Sequence, residues 1–186
     1  MIQVTWEWLG QGLALDLADT VTIENGIEHD LIEGRAGYAR WAELEAPFVP
    51  QGPVELLLRA RPELLDLRTT VRAVLAAVSA GRPVPRKATS ALNAASACAP
   101  SWLELDARSG ATRQATSGSE VDALVAAYAR SAIELVARDA ARLSRCPAPS
   151  CGMFYLRART QQRWCSTQCG SRARVARHYK RHRAET

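Results

Sequence analysis

Apolar residues in this chain recur mostly at three- and four-residue steps, the spacing of amphipathic helices. The clearest run opens at Pro53 and carries Leu56, Leu57, Ala60, Leu64, Leu65, Leu67, Val71, Val74, Leu75 and Val78. Pro62 should break or kink it, and Gly81 followed by Pro83 and Pro85 should stop it. A second helix is expected over Lys87–Cys98. A third starts at Ser119, where Asp122 completes a capping box, and Val121, Leu124, Val125, Tyr128, Ile133, Leu135 and Val136 carry the pattern to about Leu143. GYARWAEL at 37–44 reads as a short helix ended by Pro47 and Pro50. LALDLADTV at 13–21 fits helix or strand, and Ile27–Glu33 reads as a polar turn with a short apolar pair. Trp102, Leu103 and Leu105, with Ser109-Gly110 after them, read as a β-hairpin. The fold class expected is α+β. Residues 1–144 form a mainly helical domain with a small hairpin, and 145–186 form an appended unit of different character.

Charge draws that division. Residues 1–139 hold 13 Lys and Arg against 18 Asp and Glu, whereas residues 140–184 hold 11 Lys and Arg and no acid. The overall net charge of +5 therefore hides an acidic body with a basic tail, and such asymmetry points to a polyanionic partner for the tail. The first residues lack the basic start and unbroken apolar run of a secretory signal, and no run of about 18 apolar residues occurs that could span a membrane. A cytoplasmic setting is expected. There, five cysteines are more readily metal ligands or redox groups than disulfides.

Four of those cysteines lie within the basic tail, spaced Cys146-x4-Cys151-x13-Cys165-x3-Cys169. Zinc takes four tetrahedral ligands and favours thiolates. Two close-spaced pairs would each supply half of the tetrahedron. Residues 152–156 are expected as one strand, 159–162 as a turn and 163–165 as the return strand. Ser166 should cap a last helix, whose first turn holds Cys169 and whose dipole favours a thiolate there. Knuckle, hairpin and helix make a treble-clef-like finger. A disulfide pair, a thiol redox site and an iron–sulfur cluster are rival uses of the same thiols, although the C-x-x-C of redox sites is missing. With four protein ligands no coordination position stays open, so one structural zinc is expected. Cys98, on an alanine-rich helix, is read as a buried thiol.

CGMFYL, RWC and then Cys169-Gly170-Ser171-Arg172 leading into a basic helix resemble the CGNR zinc-finger family. LALDLADTV resembles the L-x-L-D-F-A-N-T motif that opens the ABATE domain found at the N-terminus of the same bacterial proteins. The two motifs sit at opposite ends, so the resemblance covers essentially the whole chain. Ser171 stands where the finger has its Asn, and Asp19 stands where the N-terminal motif has Asn. The resemblance implies a stress-linked transcription regulator that binds DNA, with a sensory N-terminal domain for an unknown small-molecule effector.

The last helix offers Arg172, Arg174, Arg177, Lys180, Arg181 and Arg183, with Arg163 in the loop before it, as nucleic-acid contacts. Arg174, Arg177 and Arg181 share one helix face. Ala173, Val175, Ala176 and Tyr179 are expected to pack on the finger, and Tyr155 and Trp164 to form its core. Phosphates would supply affinity and one or two arginines would reach guanine. His178 and His182, four apart, are read as phosphate contacts or exposed side chains. Because one finger has a small footprint, a homodimer is expected. In the body, Asp16, Asp19, Glu24, His29 and Asp30 are read as caps and surface turns, with a small-ligand pocket as the alternative, and Trp6, Trp8, Trp41 and Trp102 as core or its edge, with an aromatic ligand pocket as theirs. No catalytic constellation, phosphate-cradling loop or ligand-binding residue is legible, so no enzyme is expected. The alternative to a zinc-dependent DNA-binding regulator is an RNA- or protein-interaction module whose basic tail grips an acidic partner.

Overall fold

Burial of the LALDLA segment organises the body. The computed structural model describes residues 6–24, 26–50 and 52–184. Helix α1 (Leu13–Ala18) is only six residues long, and Ala14 through Ala18 are all buried. Strand β1 (Val21–Glu24) follows and pairs antiparallel with β2 (Ile27–Asp30) in the register Val21↔Asp30. The segment from Ile27 was expected as a turn, and the structure makes it a strand. The Asn25-Gly26 dipeptide of the sequence is a hairpin signal, obscured because each strand has only four residues and β2 carries a single apolar one.

Helix α2 (Arg35–Glu45) runs into a 3₁₀ turn (Ala46–Phe48). The long apolar run is two helices, α3 (Val54–Arg59) and α4 (Arg61–Ser79), divided at Ala60. Pro62 lies at the start of α4, where its missing N–H breaks no helical bond. The end of α4 is closed by Arg82 N–H on Ala77 O at 2.9 Å and Gly81 N–H on Val78 O at 2.9 Å. Helix α5 (Arg86–Ala97) precedes the hairpin β3 (Ser101–Leu105) and β4 (Thr112–Thr116). The hairpin stands proud of the body, leaving Leu103 and Leu105 exposed and Trp102 half-exposed. Cys98, expected to be buried, is exposed at the end of α5, its thiol donating to Ala95 O at 3.0 Å.

Helix α6 (Glu120–Asp139) begins with the expected capping box. Asp122 N–H donates to Ser119 Oγ at 3.1 Å, and Ser119 N–H to Asp122 Oδ2 at 3.2 Å. It stops four residues earlier than its pattern implied, because Leu143 belongs to strand β5 (Leu143–Arg145), which pairs with β6 (Phe154–Leu156). Helix α7 (Thr167–Ala184) ends the fold.

One hydrophobic core holds α1, α2, α3, α4, α5 and α6 together, and it also takes in Leu143 and Phe154 from the β5–β6 hairpin. At its centre Trp41 packs between Tyr38 and Tyr128, with ring centroids 5.3 and 6.4 Å away. Tyr38 donates to Leu57 O and Tyr128 to Glu45 Oε1, both at 2.8 Å. A second, small core surrounds the cysteines and includes Ala148, Tyr155 and Ala173, with Trp164 against it. Among the described residues no helix is long and apolar enough to cross a membrane.

Candidate metal centre and basic surface

Strand β5 leads directly into Cys146, whose N–H donates to Met153 O at 2.8 Å, so the first cysteine pair sits in the loop of the β5–β6 hairpin. The loop closes through left-handed Ser150 (φ 58°) and Gly152 (φ 76°). The expected pairing of residues 152–156 with 163–165 does not form, and β6 pairs with β5 instead. Residues 163–165 form no strand, because Leu143 and Phe154 are apolar and the body core claims both arms of the earlier hairpin. The connector is shaped instead by Gln162, whose Oε1 accepts from Ala158 N–H at 2.8 Å and whose Nε2 donates to Trp164 O at 3.0 Å. Ser166 then caps α7, its Oγ accepting from Cys169 N–H at 3.2 Å.

These elements bring the Sγ atoms of Cys146, Cys151, Cys165 and Cys169 within 4.8 Å of one another. Cys151 and Cys165 are 3.6 Å apart, and Cys165 and Cys169 3.5 Å. A tetrahedron of thiolates about 2.3 Å from zinc has edges of about 3.8 Å, whereas a disulfide needs about 2.05 Å. The spacing fits a metal cage, and all four cysteines are free of disulfides.

Hydrogen bonds from Cys151 and Cys165 pull the Cys146 thiol down, and the same hydrogen bonds push Cys151 and Cys165 up. Four thiols this close cannot ionise together without a cation between them. When bound, zinc would hold all four as thiolates and pin the two halves of the finger together.

Arg172 turns toward the cage, donating from Nη2 to Cys169 Sγ at 2.9 Å, and that contact raises its pKa. Gly170 lies beneath Trp164, whose ring carbon would sit 3.4 Å from an added Cβ. Tyr155 is buried and Trp164 partly so, as finger core. Beyond Ala173 the described helix residues are exposed, with Ala176 and Arg177 edging a groove against the finger. Val175 is 54% and Tyr179 69% exposed, so the expected packing of Val175, Ala176 and Tyr179 on the finger does not form.

Arg163, Arg174, Arg177 and Arg181 are exposed, and among the described residues none of them pairs with a carboxylate. Arg174 reaches Ser171 Oγ at 3.0 Å, and Arg177 donates to Ala173 O at 3.3 Å. The side chains of Lys180 and Arg183 lie outside the described residues. Two open grooves flank Trp164. One, of about 610 Å³, is lined by Arg145, Arg157, Arg163 and Arg177, and the other, of about 720 Å³, by Arg159, Arg163 and Arg174. His178 and His182 face each other with Nε2 atoms 3.2 Å apart.

In the body, Asp16 accepts the N–H groups of Gly10, Gln11 and Gly12 at 2.9, 3.1 and 3.3 Å. Burial lifts it to about 6 against those bonds. Asp30 pairs with Arg68 and accepts Ile32 N–H at 3.0 Å. Glu24 and His29 approach each other at 3.9 Å on the β1–β2 hairpin. Asp19 reaches into the finger, its Oδ1 accepting Phe154 N–H at 2.8 Å, and Ile23 N–H donates to Cys151 O at 2.8 Å. Sequence reasoning missed both contacts, and the place of Asp19 in the LALDLADTV segment, where the motif carries Asn, was the one available signal for the first.

A family model described as a putative stress-induced transcription regulator, ABATE, matches residues 11–147, and a CGNR zinc-finger model matches residues 142–182. Their overlap covers β5 and Cys146, where body and finger share a hairpin. These are regulatory zinc-finger families rather than enzyme families. No curated protein matches the chain. The four cysteines are positioned to bind one zinc ion, and the chain belongs to the ABATE family, ending in a CGNR zinc finger.

Proposed function

We propose that this chain is a zinc-dependent DNA-binding regulator of bacterial transcription, acting in the cytoplasm. Residues 145–186 bind duplex DNA and residues 1–144 sense a small effector or dimerise. The observation that supports this best is the bare face of α7. Helix α7 is about 27 Å long and only its first turns are anchored, with Cys169, Gly170 and Ala173 buried. From there Arg174, Arg177 and Arg181 present unpaired charge along one face, over a segment with no acid from residue 140 to 184. A helix of that kind fits the major groove, which is about 12 Å wide. Phosphates are bound by Arg163, Arg174, Arg177, Lys180, Arg181 and Arg183, and Arg172 serves mainly to hold the Cys169 thiolate. Two copies extend the footprint to paired half-sites.

A second reading has its own support: Val175 and Tyr179 lie exposed on α7, as a protein-docking helix would have them. Duplex binding across a salt series separates the two. The zinc-loaded chain should bind with a steep salt slope, and the variant R174A/R177A/R181A should lose about 2.7 from that slope, at about 0.9 per phosphate contact. Selection from random duplexes should then return a preferred sequence. Absence of binding at low salt would overturn the DNA reading and leave the acidic-partner one. Deletion of residues 145–186 is the poorer test, since it strips Phe154 from the body core.

A further inference from the structure

The first zinc knuckle is gripped by the body on both sides of Gly152. Ile23 N–H in β1 donates to Cys151 O at 2.8 Å. Asp19, at the C-terminal cap of α1, is 1% exposed and accepts Phe154 N–H at 2.8 Å across 135 residues of sequence. That N–H lies on the edge of β6 away from β5, in a buried setting. Without Asp19 it would be an orphan donor next to the metal loop. Gly152 fills the gap between the two bonds. A Cβ there would stand 2.6 Å from Ile23 Cδ1, and its φ of +76° also favours glycine. The Phe154 ring is buried in the body core, and the guanidinium carbons of Arg72 and Arg145 lie 5.9 and 5.7 Å from its centroid. Both arginines are tied to Glu28 of β2, at 3.2 and 3.6 Å.

We propose that Asp19 is a positioning residue of the metal centre: by holding the Phe154 amide it fixes the Cys151 knuckle in its metal-ready shape, and metal binding in turn stabilises the body. The geometry demands reciprocity. A knuckle held in place from α1 and β1 binds metal without first ordering its own loop, and by linkage the metal tightens the contacts that hold it. Neither step depends on what α7 binds, so this inference stands apart from the DNA reading.

The test uses the full chain with zinc and a competing chromophoric chelator. Asp19→Asn keeps a carbonyl for the Phe154 amide and should retain zinc affinity within about twofold, whereas Asp19→Ala should lose about tenfold, the lower end of what outer partners of a metal site contribute. Native-state hydrogen exchange supplies a readout that general destabilisation does not. Zinc should slow exchange of the Ile23 amide in the wild type, and Asp19→Ala should shrink that protection more than it shrinks protection in α4. If Asp19→Ala does not fold, Gly152→Ala takes its place. That change should weaken zinc binding, and adding Ile23→Ala, which removes the atom in the way, should restore part of the loss. The proposal is overturned if Asp19→Ala binds zinc like the wild type, if Asp19→Asn loses as much as Asp19→Ala, if zinc leaves Ile23 exchange unchanged, or if Ile23→Ala fails to relieve Gly152→Ala.

Discussion

Glu45 is the sharpest electrostatic liability in the body. It has no solvent exposure. Its Oε1 accepts from Tyr128, but Oε2 and the neighbouring Trp41 Nε1 are buried with no hydrogen-bond partner among the described residues. Burial, reinforced by the charge of Asp16 and opposed only by the Tyr128 hydroxyl, raises its pKa from 4.5 to about 8. The folded protein therefore holds this proton more tightly than the unfolded chain does. Stability is complete below the unfolded value of 4.5 and drains away as pH rises through the folded value of about 8. At pH 7 the unfolded chain has ionised by about 2.5 units that the folded one resists, which at 1.36 kcal/mol per unit costs about 3 kcal/mol. Glu45→Gln has no charge to lose and still accepts from Tyr128. It should match the wild type near pH 4.5 and exceed it by about 3 kcal/mol at pH 7. Denaturant unfolding of both zinc-loaded proteins across that range measures the difference. Parallel stability curves would refute the reasoning, since they would mean that Glu45 keeps the same proton affinity folded and unfolded.

Other residues give independent checks. Ser119→Ala removes one half of the capping box on α6 and should cost about 1 kcal/mol in denaturant unfolding. In the zinc-loaded protein Cys98 should be the first thiol modified by a small alkylating reagent, with the other four protected until zinc is withdrawn; intact mass after timed quenching reports this. Arg172→Met removes the donor to Cys169 Sγ, so zinc should pass to a chelator about tenfold faster with the helix content of the circular dichroism spectrum unchanged. Zinc removal should leave Trp164 in a wetter setting, visible as a red shift of its emission. Reloading with about one zinc per chain should reverse it.

The parts of this fold that were legible in the sequence are those fixed by neighbours along the chain. Ser119 and Asp122 cap a helix three residues apart, Pro62 can only open one, Gly81 can only close one, and the four cysteines declare their site by spacing. What stayed hidden depends on contacts between distant segments. Phe154 and Leu143 look like ordinary strand residues, and nothing local says that each will pair with the other's strand or enter the core of another domain. The β1–β2 hairpin escaped because the alternation in β1 lasts only four residues, with Val21 already assigned to the preceding segment, and β2 carries a single apolar residue. The packing assigned to Val175 and Tyr179 failed for the opposite reason. Their apolar character was read as core, yet by Ala173 the finger has no surface left to cover them.

The distribution of acids follows from the same contacts. Carboxylates on the side of the body that meets the finger are engaged internally. Asp16 holds the loop at Gly10–Gly12, Asp19 holds the Phe154 amide, and Glu28 pairs with Arg72 and Arg145. Arg145 is thereby partly neutralised, while Arg174, Arg177 and Arg181 have no carboxylate partner among the described residues. Zinc with four thiolates carries about −2, and a nearby cation, Arg172, is drawn onto the sulfur of Cys169. The positive field therefore comes from the free length of α7 together with the connector arginines Arg159 and Arg163. Such a field can steer a polyanion toward this face, and it weakens within about 8 Å at physiological salt. Helix α7 carries Cys169 in its first turn, and Cys169 shares its cage with the knuckle that Asp19 and Ile23 hold, so the direction of that field is set by the body. Were an effector to bind the body, it would reach the basic face only by binding more tightly to one arrangement of that knuckle than to another.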